Sequence, residues 1–534
     1  MDKLDRQVLE QHARAIVHMR ERHATKALGL VLGAGVSKPV GFPAWEELVQ
    51  KIANSDKVKG AHLLAATDGV SATAKTQMLL HHYRTKRLDE MSCQPNAKTL
   101  RKVHGEWRRI VQEALYDGVP KTAELLKEKH PYLKDLIPII ASSPMTVTYN
   151  FDDMVERLVQ HEVGSTYGRP FETIWDVALQ PKRDTAVIYH PNGYLPSNIL
   201  EHPSENLVFS EDEFADQLIE SMAGHHASLL HHISRSTCLF VGLSLVDETL
   251  RHLLRQSARV NPGNFHYYIQ WREAGAARNH DSERAIREAN FEVYNLITLF
   301  LDDSEIAALG RLITIRDGDL VHVAEEEGID LRYVYYLTGA IGAGKTTTLS
   351  YLASLETYEE WTEPRHSLLA KSWTDLTPDQ REEVDRWILS QFAKKNLALL
   401  DRKHGVIVVD RPPLDPLSFA LPSDIAAKAQ AMIEGISPGK SNRRVVDGQV
   451  VMLSGEPREL EARVISRHKE SGADVIEELQ ESLRKIYGVK EEIDTSGSSI
   501  HDVVKSVAKK IHLQAYCPDD LNKRLHDLAD GGAL

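Results

Sequence analysis

The chain of 534 residues carries 64 lysine and arginine residues against 77 aspartate and glutamate residues, a formal net charge of −13. This length exceeds one typical hydrophobic core and predicts two or more domains, and the acidic balance does not favour nucleic acid as a partner. No apolar run is long enough to span a membrane, the charged start does not resemble a signal peptide, and the three cysteines are widely separated. We therefore expect a cytoplasmic protein without a membrane partner.

Two stretches of the first half read as helical rather than as strands. Residues 1–27 place Leu4, Val8, Ile16 and Met19 on one side of a helix, which serves packing or oligomerisation. Residues 55 to about 135 are charged and mostly helical in pattern. We interpret them as a helical insertion that covers a nucleotide site.

That site is predicted at a glycine turn directly after a buried strand. The apolar run from Leu28 to Leu32 breaks at Gly33, Ala34 and Gly35, where small residues let the backbone approach a pyrophosphate and present its N–H groups. Ser37 adds a hydroxyl, and an amphipathic helix starts at Trp45. Strand, glycine loop and helix follow one another as in nucleotide-binding folds, although two glycines after a strand also make an ordinary tight turn.

A longer motif strengthens the nucleotide interpretation. The string GAGVS at 33–37, followed by Gly41, Phe42, Pro43 and Trp45, resembles the NAD-binding opening of the sirtuin family. Ala44 and Glu46 replace the charged residues of classical sirtuins, so the resemblance points to the divergent bacterial branch. It implies NAD⁺ contacts by a set of turn residues, namely Gly33, Ala34, Gly35, Ser37, Phe42 and Trp45. The three cysteines cannot form the paired CxxC zinc site of classical sirtuin deacylases.

The second motif, TYNFDD at 148–153, resembles the sirtuin T-x-N-x-D pattern. Cleavage of the nicotinamide–ribose bond passes through a cationic state, which an amide such as Asn150 and a carboxylate such as Asp152 can assist. The resemblance therefore assigns catalysis to Asn150 and Asp152. The alternative is that both residues only cap the next helix, Met154 to Val163.

The third motif, HPNGYL at 190–195, follows a predicted strand from Ala186 to Tyr189 and resembles the segment around the sirtuin catalytic histidine. Asn192 stands where the family has its histidine before the glycine, so His190 becomes the candidate general base and Asn192 an NAD contact. A histidine at a strand end is also a common structural residue.

The fourth motif is a glycine–x–serine turn after the strand that starts at Cys238. Gly242 and Ser244 match the sirtuin turn, and Asp247 follows as in the divergent branch, so all three are predicted NAD contacts. A cap of the following helix is the alternative. Residues 266–269 read as the closing strand of this domain, which we place at residues 28–318.

The remaining residues, 319–534, form a second predicted domain with a full G-x-x-x-x-G-K-[ST] loop between a strand and an apolar helix. In this pattern Gly339, Gly342, Gly344 and neighbouring backbone N–H groups cradle phosphates, and Lys345 reaches the terminal ones. Thr346 is the candidate Mg²⁺ ligand, with Thr347 beside it. We expect ATP and Mg²⁺ as ligands of this domain.

The rest of this domain resembles deoxynucleoside and nucleoside-monophosphate kinases. Glu363, in a Glu-Pro pair, matches the base that accepts the proton of the substrate hydroxyl, and Asp410-Arg411 matches the acidic–arginine pair at the acceptor site. Arg463 and Arg467 lie four apart on one helical face and are candidate phosphate contacts, although a solvated charged face has the same spacing. No residue identifies the acceptor nucleoside.

The sequence thus predicts an α/β protein in which a Rossmann-like sirtuin domain with a helical insertion precedes a parallel P-loop kinase-like domain. The resemblance implies an NAD⁺ glycohydrolase, associated in the divergent branch with anti-phage defence, that is gated by a nucleoside or nucleotide in the second domain and forms homo-oligomers. One alternative is a nucleoside or deoxynucleotide kinase with a regulatory NAD- or ADP-ribose-binding domain. The other is an NAD-dependent deacylase or ADP-ribosyltransferase. The trigger and the oligomeric state are not readable from the sequence.

Overall fold

The computed structural model describes the chain except residues 68, 93–94, 165–169, 176–185, 199–202, 205–206, 223–226, 246, 372–374, 437–443, 467–470, 490–491 and 532–534. Cys93 and Arg467 therefore lie outside the described residues. The chain forms two units. The first comprises residues 1–8, 22–260 and 265–315, and the second comprises residues 9–21, 261–264 and 316–534.

The first unit is built on a seven-stranded sheet whose strands all run parallel. The strands are β1 (Leu28–Leu32), β2 (Thr146–Thr148), β3 (Phe171–Ile174), β4 (Ala186–Tyr189), β5 (Thr237–Val241), β6 (His266–Trp271) and β7 (Leu296–Leu301). Their order across the sheet is β3-β4-β2-β1-β5-β6-β7. The central strands β1 and β5 are buried along their whole length, which is typical of a parallel sheet covered by helices on both faces.

Helices of this unit precede, interrupt and follow the strands. They are α1 (Lys3–Ala24), α2 (Ala34–Ser37), α3 (Trp45–Asn54), α4 (Ala61–Ala65), α5 (Ala72–Glu90), α6 (Ala97–Tyr116), α7 (Ala123–Lys129), α8 (Leu133–Ser142), α9 (Met154–Val163), α10 (Glu211–Met222), α11 (Ala227–Arg235), α12 (Glu248–Val260), α13 (His280–Tyr294) and α14 (Asp303–Thr314). Helices α4 to α8 occupy the long connection between α3 and β2, and the middle of α1 belongs to the second unit.

The prediction that residues 266–269 close the first sheet is wrong. These residues are in β6, and β7 pairs with β6 in parallel and forms the edge of the sheet. The run LITLFL is apolar and almost wholly buried, because α13 returns the chain for one further parallel crossover.

The second unit has a five-stranded parallel sheet with the order β12-β11-β8-β10-β9. Its strands are β8 (Arg332–Thr338), β9 (Glu356–Tyr358), β10 (Gly405–Asp410), β11 (Gln449–Ser454) and β12 (Glu492–Asp494). Its further helices are α15 (Asp317–Glu327), α16 (Lys345–Tyr351), α17 (Pro378–Asp401), α18 (Ile425–Gly435), α19 (Pro457–Ile465), α20 (Ala473–Tyr487), α21 (Ile500–Leu513) and α22 (Leu521–Ala529). The predicted fold class, an α/β protein with two parallel sheets, is confirmed.

Residues 9–21 of α1 pack within the second unit through buried apolar and polar side chains. Arg14 donates hydrogen bonds to the Tyr335 hydroxyl and to the carbonyls of His512 and Gln514, and His18 contacts the Ser354 carbonyl. In the part of the chain that the structure describes, no helix is long and apolar enough to cross a bilayer.

Both sheets place their glycine loops at a topological switch point. In the first unit β1 lies between β2 and β5, so the loops after β1 and β5 depart towards opposite sides of the sheet. In the second unit β8 lies between β11 and β10 in the same way. Ligands of open parallel sheets bind at such points, beyond the carboxyl ends of the strands.

Candidate functional site

The glycine turn of the first unit is held tightly against the turn after β5. The Gly33 and Gly35 N–H groups donate to the Val241 and Gly242 carbonyls at 3.0 and 2.9 Å. A Cβ atom on Gly33 would lie 2.6 Å from the Gly242 oxygen, and Gly242 itself has a φ of 67°. Glycine is therefore required on both sides of this contact, while Ala34 and Gly35 stay exposed at the edge of the sheet.

Asn150, after β2, reaches across to this turn and is oriented by two hydrogen bonds. Its Nδ2 donates to the Gly33 carbonyl at 3.0 Å and to the Ser37 hydroxyl at 2.9 Å. Because a carbonyl oxygen can only accept, the contact with Gly33 fixes which end of the carboxamide carries the nitrogen. The Asn150 Oδ1 atom is consequently directed away from Gly33 and Ser37, on a half-buried side chain.

Ser37 passes the hydrogen-bond chain on to Asp152. The Ser37 hydroxyl donates to Asp152 Oδ2 at 2.9 Å, and the Met154 N–H donates to Oδ1 at 3.1 Å. Asp152 is 4% exposed, and its burial raises the pKa of the carboxyl to about 6 despite these two hydrogen bonds. Asp152 is therefore buried behind Ser37, and the Ser37 hydroxyl links its carboxylate to the Asn150 carboxamide.

His190, at the end of β4, is fully buried and contacts protein on both ring nitrogens. Its Nδ1 lies 2.8 Å from the Asn150 carbonyl oxygen, and its Nε2 lies 2.7 Å from Glu156 Oε1. Burial lowers the pKa of His190, but the Glu156 carboxylate, the hydrogen bond to the Asn150 carbonyl and the Asp152 carboxylate together raise it by more, so the pKa lies above its ordinary value. This geometry favours a positioning role over proton abstraction from a ligand.

Asn192 is buried as well, and its carboxamide is bound on both ends. Its Nδ2 donates to the Tyr149 carbonyl at 3.3 Å, and its Oδ1 accepts from Gln217 of α10 at 3.1 Å. The Leu195 N–H donates to the Phe151 carbonyl at 2.7 Å. With the His190 contact to Asn150, the loop after β4 thus holds three successive carbonyls of the segment that carries Asn150.

Aromatic side chains and the insertion helices surround this cluster. Phe42 packs edge-on against Tyr116 of α6, and Trp45 lies 5.0 to 6.0 Å from the rings of Phe151, Phe209 and Phe214. Three side chains spaced one turn apart on α6 hold the loop after β4 by hydrogen bonds. Arg108 donates to the Ser204 carbonyl, Gln112 to the Pro196 carbonyl and Tyr116 to the Leu195 carbonyl.

The turn after β5 brings its predicted residues to the same sheet edge. Gly242 packs on Gly35, and Ser244 is exposed. Asp247 accepts a hydrogen bond from the Leu250 N–H at 2.8 Å and so caps α12, and burial raises the pKa of its carboxyl. The capping alternative for Asp247 therefore has direct geometric support.

The second unit places the predicted phosphate loop between β8 and α16. Gly339, Gly342 and Gly344 have φ of 145°, 86° and 94°, in the range that only glycine adopts readily. The Lys345 ammonium donates to the Gly339 and Ala340 carbonyls at 2.7 and 3.1 Å, and burial lowers its pKa to about 8.

Opposite the loop, Thr346 and Asp410 form a contact suited to a divalent cation. The Thr346 hydroxyl donates to Asp410 Oδ2 at 2.9 Å, and Asp410 Oδ1 is buried without a hydrogen-bond partner among the described residues. Thr347 follows on the half-buried side of α16. A hydroxyl and a carboxylate oxygen are ligands that Mg²⁺ accepts together with phosphates and water.

Arg411 and Glu363, predicted at the acceptor side, have different partners. Arg411 forms ion pairs with Glu360 at 2.7 Å and with Asp415 at 3.5 Å, and its φ of 63° is left-handed. Glu363 is about half exposed, pairs with Lys394 at 2.5 Å and accepts from Gln391 at 2.9 Å, and hydrogen bonds to these residues lower its pKa.

Arg463 donates hydrogen bonds to the Glu459 carboxylate and to the hydroxyl and carbonyl of Thr495, all within the second unit. Arg467, its predicted companion, lies outside the described residues.

Sequence reasoning missed several residues that hold these sites. Glu156 lies on the otherwise apolar face of α9. An isolated acid in such a pattern is the sequence signal that indicates a buried polar partner. His130 carries no sequence signal of its role. Its Nε2 lies 2.6 Å from the Val36 carbonyl and supports the glycine turn, and burial lowers its pKa to about 4. Gln217, Glu360 and Gln391 gave no local signal.

Comparison with known proteins adds one informative match. A family model described as a SIR2-like domain matches residues 144–294, and no curated protein matches the chain. The crystal structure of NadR protein in complex with NAD and AMP-PNP aligns at 11% identity over 70% of this chain and 88% of that chain. Its TM-score of 0.25 does not establish a common fold. The SIR2-like match contains Asn150, His190 and Gly242 and supports an NAD-related enzymatic function.

Proposed function

We propose that the first unit hydrolyses NAD⁺ to nicotinamide and ADP-ribose, and that nucleotide binding in the second unit gates this reaction. The observation that carries the proposal is the Asn150 carboxamide. It is held by Gly33 and Ser37 so that its Oδ1 is directed away from both, at the switch point of a parallel sheet.

The chemistry that this arrangement supports is dissociation of the nicotinamide–ribose bond. The bond breaks with its electron pair leaving on the nicotinamide nitrogen, and water adds to the cationic ribose carbon with loss of a proton. Asn150 Oδ1 is suited to accept a hydrogen bond from a ribose hydroxyl or from that water. Because Asp152 accepts the hydrogen of the Ser37 hydroxyl, the Ser37 oxygen accepts from Asn150. Both hydrogens of the Asn150 carboxamide are then bound, one by Ser37 and one by the Gly33 carbonyl.

The residues that hold the substrate are proposed from the same sheet edge. Ala34, exposed at the start of α2, and the exposed Ser244 hydroxyl are proposed to contact a pyrophosphate and a ribose, whereas the Gly35 N–H is already bound to the Gly242 carbonyl. Gly242 permits the close approach of the two turns. The partly exposed Trp45 supplies aromatic surface beside this edge, whereas Phe42 is buried against Tyr116.

We further propose that the second unit binds ATP and Mg²⁺ through Lys345, Thr346 and Asp410 and controls NAD⁺ consumption. An enzyme that depletes NAD⁺ harms its own cell, so a nucleotide that binds the active and inactive states unequally is a suitable gate. By resemblance to the divergent sirtuin-like branch, the proposed biological role is an oligomeric effector of anti-phage abortive infection in the cytoplasm. Phosphorylation of a nucleoside, with Glu363 as base, is part of this proposal.

A rival function is a nucleoside or nucleotide kinase whose first unit only binds NAD⁺ or ADP-ribose. The observation that favours it is the burial of His190 with both ring nitrogens bound to protein, while Asn192, in place of a histidine, is not a base at neutral pH. A deacylase or ADP-ribosyltransferase remains a further alternative that uses the same NAD⁺ site.

The deciding experiment is nicotinamide release from NAD⁺ by the purified chain, alone and with ATP, Mg²⁺ and a panel of nucleosides and nucleotides. We expect release that depends on one nucleotide and is abolished by Asn150→Ala. Asn290→Ala is the matched control, because this half-buried asparagine of α13 donates from Nδ2 to the Thr298 hydroxyl and lies on another strand–helix pair. Persistent NAD⁺ with appearance of a phosphorylated nucleoside would replace the proposal by its kinase rival, and acceleration by an acylated peptide would favour the deacylase.

A further inference from the structure

The contacts of His190 require a proton between its ring and Glu156. A backbone carbonyl only accepts hydrogen bonds, so the Nδ1 atom facing the Asn150 carbonyl carries a hydrogen. The other nitrogen, Nε2, lies 2.7 Å from Glu156 Oε1, a distance at which a carboxylate and a bare ring nitrogen repel unless a proton lies between them. Hence His190 and Glu156 share one proton in addition to the hydrogen on Nδ1.

The surroundings favour the charged arrangement, an imidazolium facing a carboxylate. Glu156 and Asp152 are both buried acids near the start of α9, and both attract positive charge on His190. The Thr173 hydroxyl donates weakly to Glu156 Oε1 at 3.3 Å. The ring of Tyr194 lies 4.7 Å from the imidazole ring and completes the groups that face it from the loop after β4.

The pair formed by His190 and Glu156, called the dyad below, acts on the backbone of Asn150. The donor Nδ1–H holds the carbonyl of Asn150 itself, the residue whose carboxamide meets the glycine turn. A hydrogen bond from a charged donor is shorter and about twice as strong as a neutral one. The flanking contacts, Asn192 to the Tyr149 carbonyl and Leu195 N–H to the Phe151 carbonyl, are neutral.

We propose that Glu156 is a positioning residue that holds His190 as an imidazolium, and that His190 in turn fixes the backbone of Asn150 and so aims its carboxamide. This inference rests on the proposed NAD⁺ hydrolysis. It assigns the active-site histidine to orientation instead of general base catalysis, and it adds a residue from α9 to the site.

The test uses the full chain with Glu156→Gln, Glu156→Ala and a matched control, Glu305→Gln. Glu305 is also a buried acid of the first unit, but its partner is Arg272 at 2.6 Å. Nicotinamide release gives kcat and KM, and NMR of isotope-labelled histidine reports the protonation of His190, assigned by loss of its signals in His190→Gln.

We expect His190 of the unmodified protein to be an imidazolium at pH 7.5 and to become a neutral, Nδ1-protonated ring in Glu156→Gln. The kcat of Glu156→Gln should fall about 10- to 100-fold with KM changed less than about threefold, because a misaimed group near the reacting bond costs about this much. Glu156→Ala should lose at least as much kcat and also melt lower, while Glu305→Gln keeps its kcat.

Either of two results would overturn the inference: a neutral His190 in the unmodified protein at pH 7.5, or a kcat that Glu156→Gln leaves intact. If the unmodified protein releases no nicotinamide under any condition, the proposed hydrolysis fails separately. The NMR signal then decides the inference alone, since an imidazolium lost in Glu156→Gln supports the dyad and a neutral ring refutes it.

Discussion

The Ser37 hydroxyl and the Asp152 carboxylate, 115 positions apart in sequence, lie 2.9 Å from each other and join the loop after β1 to the loop after β2. Asp152 accepts on both oxygens, so Ser37 must donate to it, and Ser37 can then only accept from Asn150. The ionised carboxyl of Asp152 thus fixes the direction of the Ser37 hydrogen, and the Gly33 carbonyl fixes the orientation of the Asn150 carboxamide.

Ser37→Ala is expected to remove the middle of this chain. It leaves Asp152 Oδ2 buried without its donor and frees one hydrogen of the Asn150 carboxamide, so we expect a loss of roughly 1–3 kcal/mol in the free energy of unfolding. Nicotinamide release should fall at least tenfold. Chemical denaturation and the release assay measure both, with Ser55→Ala, a partly buried serine at the end of α3, as the control. A variant as active as the unmodified chain would exclude the Ser37 chain from the mechanism.

NAD⁺ consumption should decline as the pH falls through about 6. Burial raises the pKa of Asp152 to about 6, and protonation below that value puts a hydrogen where Ser37 or the Met154 N–H now donates. In Asp152→Asn this acidic limb of the pH profile should vanish, at a low residual rate. A profile whose limb survives in Asp152→Asn would assign it to another group.

Deprotonation of Asp152 should lower the free energy of unfolding, although it favours the proposed NAD⁺ consumption. Its pKa is higher in the folded chain than the ordinary 3.8, so between about pH 4 and pH 6 the folded state binds more protons than the unfolded state. The contribution of Asp152 to the free energy of unfolding therefore falls by roughly 1–3 kcal/mol as the pH rises through this window. Denaturant titrations of the unmodified chain and of Asp152→Asn measure the difference between their free energies of unfolding. We expect this difference to change between about pH 4 and pH 6, and a difference independent of pH would contradict the prediction.

ATP binding to the second unit should take up a proton at pH 8 to 9. Burial lowers the pKa of Lys345 to about 8, so part of this side chain is neutral there, and a triphosphate restores the ammonium. Calorimetry in buffers of different ionisation enthalpy measures the uptake. Lys345→Met should weaken ATP binding strongly and abolish the uptake, whereas Lys428→Met, whose amine pairs with Asp385, should change neither.

Thr346→Ala should weaken nucleotide binding only when Mg²⁺ is present. The Thr346 hydroxyl contacts Asp410 Oδ2, and the proposed ion would be held by this pair together with phosphate oxygens. Thr346→Ser keeps the hydroxyl and should restore Mg²⁺-dependent affinity. An equal loss with and without Mg²⁺ would point to a structural role of the threonine instead.

The local sequence determined the features that depend on neighbouring residues. The buried strands and the helix after Trp45 follow from periodicity, and the structure has them. The glycines at 33–35 and in the phosphate-loop motif before Lys345 mark places where the backbone approaches a neighbour closely or takes a left-handed conformation, and the structure has the short helix α2 and the loop before α16 there. The two parallel sheets could be predicted for the same reason. The edge strand β7 could not, because an apolar run does not reveal whether one more crossover follows.

The roles of individual side chains were decided by the tertiary structure. His190 is a plausible base in the sequence, yet burial and its contacts with Glu156 and the Asn150 carbonyl turn it towards positioning. Asp152 is predicted from the sequence as a catalytic carboxylate, yet it lies behind Ser37. A sequence lists the donors and acceptors, whereas burial and the partner across the sheet determine which of them stay charged and which face a ligand.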